Sequence, residues 1–306
     1  MNRAVLTTAE WQARAHAHAA RVQQYTTPWR ERRSRGAVHP VYDFLFQYYH
    51  YSPGKLDAWH PESHEQLEDS PQARERFVAP VYVAANGVMC RDANARVPAE
   101  RAQHEQTLQV LRATEARPAH FGCYGMHEWA MVYGGHDVRH AQIAPLRLSQ
   151  PAVDDFVRSR PVACSHFDAF RFFAPEAKPL NRVPLTWAAR HDTEQPGCIH
   201  ANMDLYRWAY TSMPWIGSEE LWECFALAVD LRVLDMEAGP YDLRELGFSP
   251  VQVETAAGRD EYQQRQRALA ARASMLRARL IATLGALPCF STYSDGDASV
   301  SLHGER

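Results

Sequence analysis

Apolar residues recur at helical spacing along most of the chain and alternate at strand spacing in few places. Residues 8–24 set alanines, arginines and a Trp at helical intervals, which predicts a surface helix. An arginine cluster follows (Arg30, Arg32, Arg33 and Arg35, broken by Glu31), closes at Gly36 and reads as a solvated turn. Residues 41–49 (VYDFLFQYY) are apolar or aromatic nearly all round, so burial is expected. Residues 52–76 are rich in Pro, His and acids, as loops and short helices are. Residues 98–114 form an amphipathic pattern with Leu108 and Leu111 inward.

From 120 to 210, short dense segments alternate with Pro and Gly. Residues 145–149 offer a short strand. The chain breaks again at 214–217, and Ser218 then stands as an N-cap, with Glu219 and Glu220 in the first turn of a helix reaching Glu237. Residues 250–255 (PVQVET) alternate like a strand, and 258–284 read as a long Ala- and Arg-rich helix. The pattern predicts a mainly α fold: a single helical domain with a small β element. Its expected divisions are an N-terminal helix and Arg-rich turn over 1–36, one catalytic or binding domain over 37–286, and a flexible tail over 287–306.

Composition narrows the function classes. Net charge is −3, so the chain as a whole is no generic polyanion binder. No apolar run is long enough to span a bilayer, and the charged, helix-like N-terminus lacks the apolar segment of a secretory signal. The six cysteines are scattered without a CxxC pair, which fits a reduced cytoplasm and small buried fillers rather than disulfides or a zinc ribbon. Only Lys55 and Lys178 are lysines among 33 basic residues. Arginine suits bidentate recognition of phosphate or carboxylate, although a coding bias gives the same count. The helix over 258–284 carries Arg259, Arg265, Arg267, Arg272, Arg277 and Arg279, either as a solvated face or as a phosphate-tracking one.

Three segments place a His and an acid inside an aromatic run. His127 and Glu128 precede Trp129 and Tyr133. His166 precedes Phe167, Asp168, Phe170, Arg171, Phe172 and Phe173. His200 precedes Asp204, Tyr206, Trp208 and Tyr210. Burying such groups among aromatics is costly unless they are hydrogen-bonded, paired or ligated, which predicts convergence on one polar site. His200 and Asp204, four apart, share a helical face, where they can ligate one metal or the acid can orient the imidazole. His166 and Asp168, two apart, share a side only in a strand. His60/His64 and His136/His140 lie among Pro and Gly, and solvent exposure is expected for them. No HExxH, GxSxG, Walker loop or GxGxxG is present.

At HPVYDFLFQYY, HFGCYGMHEWAMVY, CSHFDAFRFF, EQPGCIHANMDLYRWAY and LDMEAGPYDL the chain resembles bacterial proteins, common in actinobacteria, that carry the name 3-methyladenine DNA glycosylase. The resemblance runs from about His39 to Tyr262. It implies hydrolysis of the N-glycosidic bond of an alkylated purine, held by aromatic faces and cleaved with a carboxylate. The partner would be damaged DNA or a nucleobase-like small molecule, and no cofactor would be needed. No helix-hairpin-helix with its downstream Asp is recognisable, so no catalytic residue is carried over. The chain's own candidates are Asp204, Asp168, Glu128 and His200 for catalysis. Those for substrate are Trp129, Tyr133, Phe170, Arg171, Tyr206 and Trp208. The alternative is a metal-dependent enzyme of the non-haem iron type, taking Fe, Mn or Zn on His127, His166, His200 and Asp204 from a pool that includes Glu128 and Asp168. A non-catalytic binder of a small aromatic ligand would use the same cage.

Overall fold

The computed structural model describes residues 4–135 and 144–287. Helices dominate it, and the single sheet among the described residues has four short strands in the order β1 (Ala4–Leu6), β2 (Glu65–Glu68), β4 (Val88–Arg91), β3 (Tyr82–Ala85). The chain is a mainly α domain with a small β element, as its periodicity predicts.

The first helix runs from Thr8 to Ser34, ten residues past its expected end, and absorbs most of the arginine cluster. A capping box between Thr7 and Glu10 starts it. Pro28 removes one internal hydrogen bond, but Val22, Thr26 and Trp29 bury one continuous face, and Arg32 pairs with the buried Asp43. Packing on that face therefore carries the helix through the proline and the clustered charge.

The sheet is not where alternation placed it. Residues 250–255 form no strand: Val251 and Val253 are buried, but Val251 N–H donates to the Glu237 carbonyl and no strand lies alongside. Of 145–149, only Leu146 makes an isolated bridge, to Tyr241. The strands found are short and half-exposed, so their alternation is faint. The clear sequence signal for them is Asn86-Gly87, whose positive φ values of 52° and 79° make the β3–β4 turn. One face of this sheet packs under Trp11, Trp59 and Phe77.

Two larger cores meet along the helix Ser218–Ala238, which is buried almost all round. Leu221 through Leu231 belong to one core with the helices Ile199–Thr211 and Ala256–Gly285. Leu234, Met236 and Ala238 belong to the other, with Trp129, Phe156, Val253 and Tyr262. Gly217, rather than Ser218, takes the N-cap position. The Ser218 hydroxyl instead ties in the 58–60 segment, accepting from His60 N–H and donating to the Ala58 carbonyl. The Glu62 carboxylate, from a distant loop, accepts the Glu219 N–H and supplies the cap. The His136/His140 pair and all of the expected tail beyond Leu287 lie outside the described residues.

His64 is exposed as expected, whereas His60 is not. Its Nδ1 lies 2.9 Å from the Tyr82 hydroxyl, and burial, with Arg91 and Arg76 nearby, holds the ring down to about 3. An unfolded imidazole binds its proton below about 6.5, and the folded one does not, so acid removes stability over that interval. Between pH 7.5 and 5 the wild type is expected to lose up to ~2 kcal/mol more than His60→Gln. Thermal melts of both proteins at the two pH values check this, and equal losses would contradict it.

Candidate functional site

His127 sits in the short helix Met126–Met131, which Gly125 opens in the left-handed region at φ 69°. A side chain there would be strained by that φ, although Ala238 and Tyr262 leave room for a Cβ at ordinary contact distance. His200 and Asp204 lie one turn apart on the helix Ile199–Thr211. His166 is the N-cap residue of the helical turn Phe167–Phe170. The loop before His200 is fixed by Gln195, whose side chain bonds both the N–H and the carbonyl of His120. A Cβ on Gly197 would stand 2.5 Å from the His120 carbonyl oxygen, so only glycine allows this approach.

These segments bring His127, His166 and His200 together. The His127 and His200 rings meet edge-on at 4.4 Å between centroids, and His166 and His200 stack at 5.4 Å. Sequence reasoning named Glu128 and Asp204 but missed Asp235 and Glu194, which complete the cluster. His127 Nε2 lies 2.7 Å from Asp235 Oδ1. The other Asp235 oxygen accepts from Arg232 Nη1 at 2.8 Å, and the same nitrogen donates to Glu128 Oε1 at 2.8 Å. On the far side of His200, His166 Nε2 lies 3.3 Å from Asp204 Oδ2 and 3.8 Å from Glu194 Oε1. The Tyr49 hydroxyl donates to Asp204 Oδ1 at 2.6 Å. The candidate metal ligands thus divide into two groups, His127/His200/Asp235 and His166/Glu194/Asp204. Within each, the ligand-capable atoms lie within 4.8 Å of one another.

The protonation states follow from the pairs. Burial opposes charge on His127, but the Asp235 carboxylate outweighs it and raises the ring to about 10. Burial and the same salt bridge pull Asp235 in opposite directions, and the bridge wins, holding it well below the carboxylate range. His166 is likewise raised against burial by its bond to Asp204, whose own carboxyl is lowered. His200 behaves differently. Burial, with His127 beyond it, pushes it far below the usual imidazole range. It is a neutral ring, 7% exposed, with no hydrogen bond among the described residues.

His200 also walls two cavities. One, of about 390 Å³, has apolar sides from Phe121, Cys123, Cys164, Val183 and Cys198, and His127 also lines it. The other, of about 80 Å³, lies between Phe44, Tyr48 and Tyr241 and exposes Glu128 and Asp168. A third cleft, of about 260 Å³, is lined by Tyr48, Tyr49, Tyr51, Trp187, Arg171 and Arg207 over Asp168. A wider cleft of about 560 Å³ beside Trp29 and Arg33 holds none of the clustered groups.

Most of the aromatics expected to hold substrate do not line these spaces. Trp129 is fully buried, with Nε1 donating to the Ala238 carbonyl at 2.9 Å and Phe156 against its face. Tyr206 is buried among Tyr49, Tyr210 and Phe225. Phe170 packs on Phe173, Tyr133 stands beside Arg158, and Trp208 lies beneath Arg207. Arg171 does line the third cleft, held against Asp168 at 3.2 Å. The aromatic runs therefore build the shell around the cluster, while Tyr48, Tyr49 and Tyr51 from the earlier segment face the clefts.

Nor does the C-terminal helix present a free phosphate-tracking face. Arg265, Arg272 and Arg279 pair with Glu237, Asp230 and Glu223. Arg277 is buried against Asn202, Arg259 donates to the Val253 carbonyl, and Arg267 stacks on Phe121. No family model, curated protein or solved structure matches this chain.

Proposed function

We propose that this protein is a metal-dependent enzyme that holds a divalent ion between His127, His200 and Asp235 and acts on a small molecule admitted through the 390 Å³ cavity. His200 carries this reading. A neutral imidazole that faces a cavity without a hydrogen-bond partner among the described residues has the chemistry of a ligand. Two imidazoles and one carboxylate, with room on the cavity side, form the donor set that iron(II), manganese or zinc takes in catalytic sites. Arg232 and Glu128 supply the outer shell that orients Asp235.

Charge sets what else an occupied site would take. Without an ion, the cations His127 and Arg232 balance the anions Asp235 and Glu128, and His200 is neutral. Exchanging the His127 proton for a divalent ion leaves one positive charge beside the cavity. An anionic group, either hydroxide or an acidic oxygen of the substrate, would compensate it.

A second reading rests on Asp204. It is an ionised, buried carboxylate behind the tyrosine-lined cleft, and it could stabilise a sugar cation as a glycosylase would. Two measurements separate the readings. In the metal reading, purified protein contains about one equivalent of iron, manganese or zinc at this site, and His200→Ala weakens its retention at least ~10-fold. In the glycosylase reading, metal-free protein releases 3-methyladenine from methylated DNA, and Asp204→Asn abolishes release while still binding that DNA. Stoichiometric metal with no base release ends the second reading, and base release from metal-free protein ends the first.

A further inference from the structure

We propose that His166, Glu194 and Asp204 form a second cation site, adjacent to the first and separate from it. This inference extends the proposed function but stands on its own residues. Three observations carry it. The first is the donor set: one imidazole and two carboxylates from three different segments, all buried, with His166 Nε2 3.3 Å and 3.8 Å from the two acids. The second is Glu194. It is 7% exposed, its carboxylate faces His166, and it accepts no hydrogen bond among the described residues. A carboxylate kept only to support a histidine would be bonded to it, as Asp204 is. A nearly enclosed carboxylate whose one polar contact is that long ion pair is instead what a cation would satisfy.

The third observation is the rigidity of the frame. The Glu194 and His191 carbonyls accept from the two ends of Arg117. Gln195 clamps His120, and Gly197 admits the close approach of that backbone. Asp204 is fixed by Tyr49, and Cys164 Sγ donates to the His166 carbonyl at 3.4 Å. The Asp204 carboxylate is therefore aimed by a contact outside the triad, and the backbones that carry His166 and Glu194 are fixed by such contacts. Preorganisation of this kind is needed for a metal site and is more than an isolated ion pair requires.

The two triads differ in hardness. A set with two carboxylate oxygens and one nitrogen favours manganese or iron(II), whereas two nitrogens and one oxygen also suit zinc. The stacked His166 and His200 rings join the two sites, and Tyr49 links Asp204 to the tyrosine-lined cleft. An ion here would hold Asp204 and Tyr49 in place at the base of that cleft.

Manganese counting tests this on the full chain. Protein stripped with chelator, incubated with manganese(II) chloride and dialysed is expected to retain two ions per chain by elemental analysis. Glu194→Gln, which keeps the side-chain shape, should retain one, and Asp235→Asn should retain the other one. The wild-type count needs no variant, and near-ultraviolet circular dichroism confirms that each variant is folded. A wild type that holds no ion, or one that Glu194→Gln still keeps, overturns the second site. Two ions kept in Glu194→Gln overturn it as well. A single ion lost in Glu194→Gln but kept in Asp235→Asn sustains the second site and removes the first.

Discussion

Replacing Asp235 with Asn is expected to destabilise the metal-free protein by about 3 kcal/mol at pH 7, because breaking a buried ion pair leaves its partners uncompensated. Asp235 answers both His127 and Arg232, and all three are almost wholly enclosed. The amide would leave Arg232 with Glu128 alone, and His127 would shed its proton. The pH dependence gives the sharper test. His127 is raised to about 10 from an ordinary value of 6.5, so its contribution is full below 6.5 and is lost as pH rises through 10. The stability gap between wild type and variant should therefore narrow as pH rises above 7, by at most roughly 1.4 kcal/mol per pH unit, until the contribution of the pair is gone near pH 10. Denaturant melts of chelator-treated protein measure this. A gap that stays constant with pH would show that His127 is not held charged by Asp235.

Trp129→Ala is expected to be at least as damaging, costing roughly 3–5 kcal/mol, because the ring is fully buried and its deletion opens a cavity. The Ala238 carbonyl would also lose the indole N–H bond, at the end of the helix that carries Asp235. Were Trp129 a stacking platform for a base, the substitution would spare stability and weaken ligand binding. Calorimetric melting separates the two: a Tm change of less than about 2 °C would contradict the packing role. Trp129→Phe should recover about half of the loss.

The sequence made the long helices legible because their inner faces repeat cleanly. Leu108 and Leu111 marked one, and the acids after Ser218 marked the first turn of another. The sheet was obscured because its strands have three or four residues each, and β1 pairs with a strand some sixty positions away. Within the site, His127, His166, His200 and Asp204 stood out as polar intrusions in aromatic runs. Arg232 and Asp235 did not, although they are charged intrusions among the apolar residues of their helix, a signal of the same kind. Glu194 gave no signal, because an acid before Gln-Pro-Gly reads as solvated loop. Its burial comes only from the fold of that loop onto His120. The aromatic positions misled for a related reason: residues that wall off a polar cluster and residues that grip a ligand have the same composition.

The helix Ser218–Ala238 contributes to both large cores and carries Arg232 and Asp235 near the junction. Neither core is then a unit that can open by itself. Loosening the Trp129 side withdraws Leu234 and Met236, and loosening the other side withdraws Leu221 through Leu231. Protection of backbone amides from exchange should accordingly be near its maximum along this helix and collapse in one step, with no partly open form that keeps the histidine cluster assembled. Damage to either core would reach the chemistry as an all-or-none loss of protein rather than as a graded loss of rate.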